Sequence, residues 1–289
     1  MADFVHLHVH SEFSLLDGLG KLDFLINRAK ALGMHSLALT DHGAMYGSFK
    51  FYLKAKAAGI KPIIGVETYV AKRSRLDKEG KIDTDPYHLV LLAENEVGYR
   101  NLMKLVTFAH LDGFYYKPRI DWELLKEHHE GLICLSACIQ GQIAQLLLAN
   151  QDNEAERVAR EYADVFGKDH YYLEIQKHAK IPQVEALNEK IVALSRKLGI
   201  PLVATNDVHY VNPDDAEAQE ILLCVQTQRT IVEKNRPLSM MDSPDFYMRS
   251  SEEMTELFAQ YPDAIANTVK IAEMCNIELS VGKWVLPHF

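Results

Sequence analysis

A single unit recurs along this chain and limits what it can fold into. An amphipathic helical stretch ends at glycine, a short apolar strand follows, and a histidine, an acid or a cysteine closes it. The unit reads GMHSLALTDH over residues 33–42, GIKPIIGVE over 59–67, GLICLSAC over 131–138 and GIPLVATNDVH over 199–209. Glycine just past a helix tolerates the left-handed conformation that ends the helix and launches the next strand. Further strands are expected over 4–10, 87–93 and 171–175, and helices over 21–32, 44–58, 97–111, 121–129, 139–150 and 184–198. Strands alternating with helices of that length indicate βαβ units and a parallel sheet. About seven strands in the first ~210 residues suit a closed or nearly closed α/β barrel. The charged run KRSRLDKEGKIDTD, residues 72–85, reads as an exposed loop between strands. After residue 210 the pattern changes to helices over 214–225, 251–258 and 263–274. The expected organisation is therefore a barrel over 1–212 and a helical extension over 213–289.

The residues closing these units carry chemistry. Histidine is unusually common, 13 against 11 phenylalanines, and it is placed rather than scattered. His6, His8 and His10 alternate along the first strand, so a period of two puts all three imidazoles on one side. Asp17 follows in SLLDG, Asp41 and His42 end the second strand, and Glu67 ends the third. His88 opens the fourth, Cys138 ends the fifth, and Asp207 and His209 end the last. In a parallel barrel the carboxyl ends of the strands share one rim, which gathers these side chains into one cup. Uncoordinated, so many ionisable groups would desolvate or repel one another, and bound divalent cations remove that penalty. A metal site follows. His6 is expected to pack beside it, and Asp41 either orients a ligand imidazole or caps a strand end. Cys134, Cys224 and Cys275 read as core.

Composition narrows the setting. A hydrophobic share of 48% excludes a disordered chain, and a net charge of −9 argues against a nucleic-acid binder held by bulk charge. Four cysteines without CxxC spacing form no disulfide framework. No signal-like N-terminus and no apolar run near the ~18–20 residues of a membrane span is present. A cytoplasmic setting is expected.

FVHLHVHSEFSLLDG, LALTDHGAMYG, GIKPIIGVE, GFYYKPRID, EGLICLSAC, VATNDVHY and the tail EEMTELF…ANTVKIAEMCNIEL together carry a family resemblance. The chain resembles the PHP (polymerase and histidinol phosphatase) domains of bacterial replicative DNA polymerase III alpha subunits over essentially its whole length. That resemblance implies a distorted seven-stranded (β/α) barrel of PHP type with a C-terminal helical extension. It implies nine metal ligands: His8, His10, Asp17, His42, Glu67, His88, Cys138, Asp207 and His209. His8, His10, Glu67 and Asp207 would hold one ion. Glu67, His88 and Cys138 would hold a second, and Asp17, His42 and His209 a third. No ligand position departs from the family pattern. Two to three ions of Zn²⁺, Mn²⁺ or Fe²⁺ are expected; a Cys138 thiolate favours zinc, and the remaining donors accept manganese or iron.

The activity so implied is metal-dependent phosphoester hydrolysis, a 3′→5′ proofreading exonuclease with Glu67, Asp207 and His209 at its catalytic centre. Paired cations clamp the attacking and leaving oxygens and activate water, so no serine or cysteine nucleophile is required. The implied partners are the primer 3′ end of DNA, the remaining domains of the polymerase alpha subunit and other replisome subunits, with no membrane. Nucleotide addition is not expected from these residues, and the end at 284–289 resembles the lead into a following domain. Arg73 and Arg75 in the charged loop, and Lys117 and Arg119 in YYKPR, are candidate contacts to the DNA backbone. Two other readings stand beside this one: a structural metal-binding domain that stabilises a polymerase, and a small-molecule phosphatase of the histidinol-phosphate kind.

Overall fold

The computed structural model describes residues 3–178, 181–234, 236–241, 243–280 and 282. Seven strands form one sheet: β1 (Ser36–Leu39), β2 (Lys61–Val70), β3 (Tyr87–Ala93), β4 (Arg119–Ile120), β5 (Leu132–Leu135), β6 (Tyr171–Gln176) and β7 (Leu202–Thr205). They lie in the order β1-β2-β3-β5-β6-β7, with β4 paired to the end of β2. The helices are α1 (Leu22–Ala31), α2 (Ser48–Ala58), α3 (Glu96–Leu111), α4 (Trp122–Glu127), α5 (Gln142–Leu148), α6 (Asp152–Phe166), α7 (Pro182–Leu198), α8 (Ala216–Thr227), α9 (Ser251–Leu257) and α10 (Pro262–Met274). As the repeat requires, α2 and α7 stop at left-handed Gly59 and Gly199, with φ of 80° and 67°. None of the described helices is long and apolar enough to cross a membrane. Helix α6 is absent from the expected elements. Its buried face, Ala155, Val158, Ala159, Tyr162 and Phe166, repeats at helical spacing and is clearly amphipathic, so the signal was present in a segment, DNEAERVAREYADVF, dominated by charged residues.

Two features correct the parallel-barrel expectation. Strand β3 runs antiparallel to both β2 and β5, because only the loop over 71–86 joins it to β2. A connection without a crossover helix reverses the chain. Reversal also carries His88, at the start of β3, to the rim where the other strands end; it pairs with Tyr69 across the ladder.

The second concerns residues 4–10, which form no regular strand. They nonetheless link the two edges of the sheet. His6 O and Val9 O accept from Ala38 N and Thr40 N beside β1, while His10 N and His8 O bond Val208 beyond β7, all at 2.7–3.1 Å. The Thr40 hydroxyl takes the place of a ladder partner at Val9 N, 2.8 Å away. Strict alternation is lost. Val5 and Leu7 join the inner core and Val9 the outer one, and His6 turns to the Arg249 carbonyl, 2.9 Å from its Nε2. His8 and His10 share the cup; His6 does not.

The inner core fills the lower barrel with Leu7, Ile63, Leu92, Ile133, Leu135 and Val203. Its floor is closed by Ile271 and Ala272 of α10, and the Thr268 hydroxyl accepts from Val5 N at 3.1 Å. The last helix of the extension thus packs directly on the barrel. Residues 281 and 283–289 of that extension lie outside the described residues.

Candidate metal centre

All nine side chains expected as ligands meet above the inner core. His8 Nε2 lies 3.4 Å from Glu67 Oε1 and 3.3 Å from Asp207 Oδ1. His10 Nε2 lies 3.3 Å from Glu67 Oε2 and 3.1 Å from Asp207 Oδ1. A tetrahedron with ligand bonds of ~2.0–2.1 Å has edges of ~3.3 Å, so these separations suit one zinc-sized cation. Both Nε2 atoms, Glu67 Oε2 and Asp207 Oδ1 are buried and make no hydrogen bond of ordinary geometry; the His42 Nδ1 that comes within 2.7 Å of Glu67 Oε2 is misaligned for one. Buried polar atoms are seldom left so, and four converging on one point fit a cation.

Beside this cluster, Glu67 Oε1 is 2.9 Å from His88 Nδ1, and Cys138 Sγ lies 3.9 Å and 3.8 Å from those atoms. Towards the mouth, Asp17 receives His42 Nε2 at 3.1 Å and His209 Nε2 at 3.3 Å. His42 also turns its Nδ1 to Glu67 Oε2 at 2.7 Å, so Glu67 touches every part of the cup.

The backbone is held unusually here. Leu16, Ala137 and Asp207 have φ of 63°, 65° and 50°; the first two directly precede the candidate donors Asp17 and Cys138, and the third is itself a candidate donor. Such conformations cost of order 1–3 kcal/mol each and persist where surrounding structure enforces them. Electrostatics fit the same reading. Burial alone would raise the Asp17 and Glu67 carboxyls, yet Asp17 is held well below the usual range by His42 and His209, and Glu67 by His88, His42 and His8. Burial opposes charge on His8, but Asp207, Glu174 and Glu67 raise it well above its ordinary value. His10 is pushed down to about 3 by burial and by His42 and His209. Burial, then Glu67 and Asp207, hold the Cys138 thiol well above its usual value. The cup therefore holds protons that a divalent cation would displace.

Residues around the donors orient them. Asp41 accepts from Ser11 N at 2.6 Å and from the Ser14 hydroxyl at 3.1 Å. Ser14 Oγ accepts from His42 N and lies 3.0 Å from His10 Nδ1, so Asp41 acts on His10 through Ser14. Glu174 is a residue the sequence reading missed: its carboxylate lies 2.7 Å from His8 Nδ1. The available signal was an acid and Gln176, two apart, inside an otherwise apolar strand. Buried polar residues of this kind need partners.

The cup opens into a cavity of about 530 Å³, lined also by Tyr69, Asp85, Lys117, Gln140, Gln226 and Met240. Lys117 Nζ lies 5.1 Å from the Tyr69 ring centroid, and Tyr69 stacks on His42. Lys117 alone of the four expected DNA contacts reaches this cavity. Arg73 is engaged by Asp83 and Glu79, and Arg75 by Asp121. Arg119 is fully buried and donates to the carbonyls of Gly113, Asp83, Arg75 and Asp77. These three arginines do not line the cavity; Arg119 and, through Asp83 and Asp121, Arg73 and Arg75 tie the 72–85 loop together behind it.

Comparison with known proteins agrees with this geometry. The PHP domain family profile matches residues 6–178. DNA polymerase III subunit alpha of Borreliella burgdorferi is 50% identical over 288 residues, covering 99% of this chain and 25% of that protein. The subunit of the same description from Thermus aquaticus is 44% identical over 286 residues, covering 96% and 23%. The chain spans about a quarter of the length of these curated relatives. Similar solved structures include an amidohydrolase from Chromobacterium violaceum, with a TM-score of 0.41 and 16% identity over 71% of this chain and 87% of that one. A candidate metal-dependent phosphoesterase from Bifidobacterium adolescentis has a TM-score of 0.42 and 14% identity, over 72% and 88%. With a family profile spanning more than half of its residues, and with the strand-end histidines and acids gathered at one rim, the chain belongs to the PHP domain family.

Proposed function

We propose that this PHP domain is a metal-dependent phosphoesterase that acts on the 3′ end of DNA as a 3′→5′ exonuclease within a replicative polymerase. The observation that carries the reading is the convergence of buried donor atoms from His8, His10, Glu67 and Asp207 that make no hydrogen bond of ordinary geometry. Divalent cations bound there would lower the pKa of water and polarise a phosphoryl oxygen. The chain's own residues do the rest. Glu67 joins the three parts of the cup and fixes their spacing. Asp207 draws His8 and His10 to one point. His209, held by Asp17 at the mouth, is placed to hold a proton near an incoming phosphate. Lys117 supplies a positive charge at the cavity wall. A volume of about 530 Å³ suits a nucleotide-sized group at the chain end. The aromatic and polar walls Tyr69, Gln140 and Gln226 can hold a base and a sugar away from the acids. Zinc, manganese and iron all fit this mixed donor set.

The test is release of nucleotide from a 3′-labelled primer with Mn²⁺ present. Full metal occupancy without release would leave the structural metal-binding reading in its place. Turnover of phosphomonoesters without action on DNA would favour a small-molecule phosphatase.

A further inference from the structure

Glu174 has no part in the chemistry described above, yet it is a fully buried carboxylate in β6. Its Oε1 takes three contacts: His8 Nδ1 at 2.7 Å, Gln176 Nε2 at 2.9 Å, and the Thr205 hydroxyl, which donates to it. Its own N–H donates to the Ser136 hydroxyl at 2.9 Å. Gln176 Nε2 also donates to Thr205 Oγ1 at 3.2 Å, so the carboxylate is held from its own strand and from β7. An ionised carboxylate only accepts. His8 therefore keeps a proton on Nδ1, and it is Nε2, aimed at Glu67 and Asp207, that gives up its proton when a cation binds.

His10 is supported differently. Its Nδ1 meets the neutral hydroxyl of Ser14, itself committed as a donor to Asp41. A carboxylate behind a ligating imidazole raises its basicity more than a hydroxyl does. Three of the four donors in the cluster that Glu174 backs, His8, His10 and Glu67, are buried to 0%, 0% and 1% exposure and Asp207 to 11%. His42, Asp17 and His88 stand at 12%, 16% and 18%, and His209 at 4%.

We propose that Glu174 is a positioning residue that locks the His8 tautomer and makes the His8–His10–Glu67–Asp207 cluster the tightest cation site, the one filled first. The inference rests on the cup being a metal centre, and it does not depend on nuclease activity. Little rearrangement is needed for that ion, because His8 and His10 Nε2 already stand 3.1–3.4 Å from oxygens of Asp207 and Glu67 and the His8, His10 and Asp207 donor atoms lie together. In the other two parts of the cup the carboxylate behind an imidazole is itself a candidate donor to the first cluster, as Glu67 is behind His42 Nδ1 at 2.7 Å. Among the described residues, Glu174 is the one that is free to act solely as a support.

Titration of the full 289-residue chain with Mn²⁺, followed by calorimetry, tests this, with Glu174→Gln and Thr205→Val beside the wild type. An anomalous map at one equivalent of Mn²⁺ should place the first ion at the His8 cluster. Glu174→Gln should weaken that ion by about 10–100-fold while the later ions bind within about threefold of wild type. Thr205→Val, which removes one donor from Glu174 and the second acceptor of Gln176 Nε2, should weaken the same ion by about fivefold, the worth of one hydrogen bond. In EDTA Glu174→Gln should unfold near the wild-type midpoint, whereas Thr205→Val gives up about one hydrogen bond's worth of stability there. If Glu174→Gln does not fold, Thr205→Val and the wild-type map decide. An unchanged first ion in both variants, or a first ion lying at Asp17 or Cys138, overturns the proposal. So does an equal loss of stability with and without metal. A wild type that binds no Mn²⁺ defeats the metal centre itself. A loaded wild type that releases no nucleotide defeats the exonuclease reading alone.

Discussion

Replacing Arg119 with alanine separates a structural arginine from a DNA contact. Its guanidinium makes four bonds to main-chain carbonyls, 2.8–3.0 Å long, and three of those carbonyls belong to the 72–85 loop. Hydrogen bonds from a charged donor contribute ~1.5–3 kcal/mol each. The loop carbonyls regain water once the side chain is gone, so about 1 kcal/mol apiece is the better figure. The ring of Tyr115, 5.4 Å from the guanidinium carbon, adds ~0.5–1 kcal/mol. The loss comes to about 4 kcal/mol, or about 8 °C in melting temperature for a chain of this size. Urea and thermal unfolding in EDTA measure it free of any metal contribution. Arg119→Lys should recover little, since an ammonium cannot span four acceptors in a plane. Cavity geometry should suffer too, because Thr84, Asp85 and Pro86 at the end of that loop line the cup. A variant with the wild-type midpoint but weakened binding to single-stranded DNA would refute the reasoning and restore Arg119 as a backbone contact.

Four further outcomes are expected. His10→Ala or Asp207→Asn should abolish metal-dependent hydrolysis and remove one ion from the stoichiometry measured by mass spectrometry; cleavage at the wild-type rate would point to another site or a contaminating nuclease. Among the four cysteines Cys138 alone lies in the cup and is not fully buried, so a thiol reagent should modify it in EDTA and be blocked by Zn²⁺, as peptide mapping would report. Gly18→Ala would put a Cβ 2.1 Å from the Ser11 carbonyl, forcing the Asp17 loop to move; loss of the ion at Asp17, with a less stable fold, should follow in metal titration and unfolding. His6 is pushed down to about 4 by burial, below its unfolded value of ~6.5. Its neutral form is required by the fold, so its contribution is whole above pH 6.5 and is lost as pH falls towards 4, by about 3 kcal/mol. His6→Gln should flatten the dependence of the urea midpoint on pH across that window.

The candidate ligands were legible because of where they stand. His42, Glu67, Cys138 and the Asp207–His209 pair each follow an apolar run too short to be anything but a buried strand. A barrel has one rim to which such ends can lead. Strand direction was less visible: nothing in YHLVLLA differs from a parallel strand, and β3 runs backwards only because the segment before it forms no helix. The first strand misled for a similar reason. HLHVH has the period of a regular ladder, but Thr40 intrudes with its hydroxyl and the alternation slips. Orientation was hidden as well. YYKPR shows two cations, and only packing reveals that Lys117 faces the cavity while Arg119 points into the protein. Glu174 escaped because a single acid in an apolar strand says that a partner exists without saying which.

The barrel floor has a consequence for the order in which the molecule assembles. Val5 N is tied to Thr268 across 263 positions of sequence, and His6 to Arg249 across 243. The histidine-bearing segment is the first part of this sequence to emerge during synthesis, yet the helix that fastens it is among the last. Contacts so distant in sequence carry a heavy loop-closure cost and form late. Until then His8 and His10 sit on a loose end with no fixed geometry. The nascent chain should therefore acquire its ions only after α10 has docked, which delays metal capture until the end of translation of this segment and makes the cup the last part of the domain to mature.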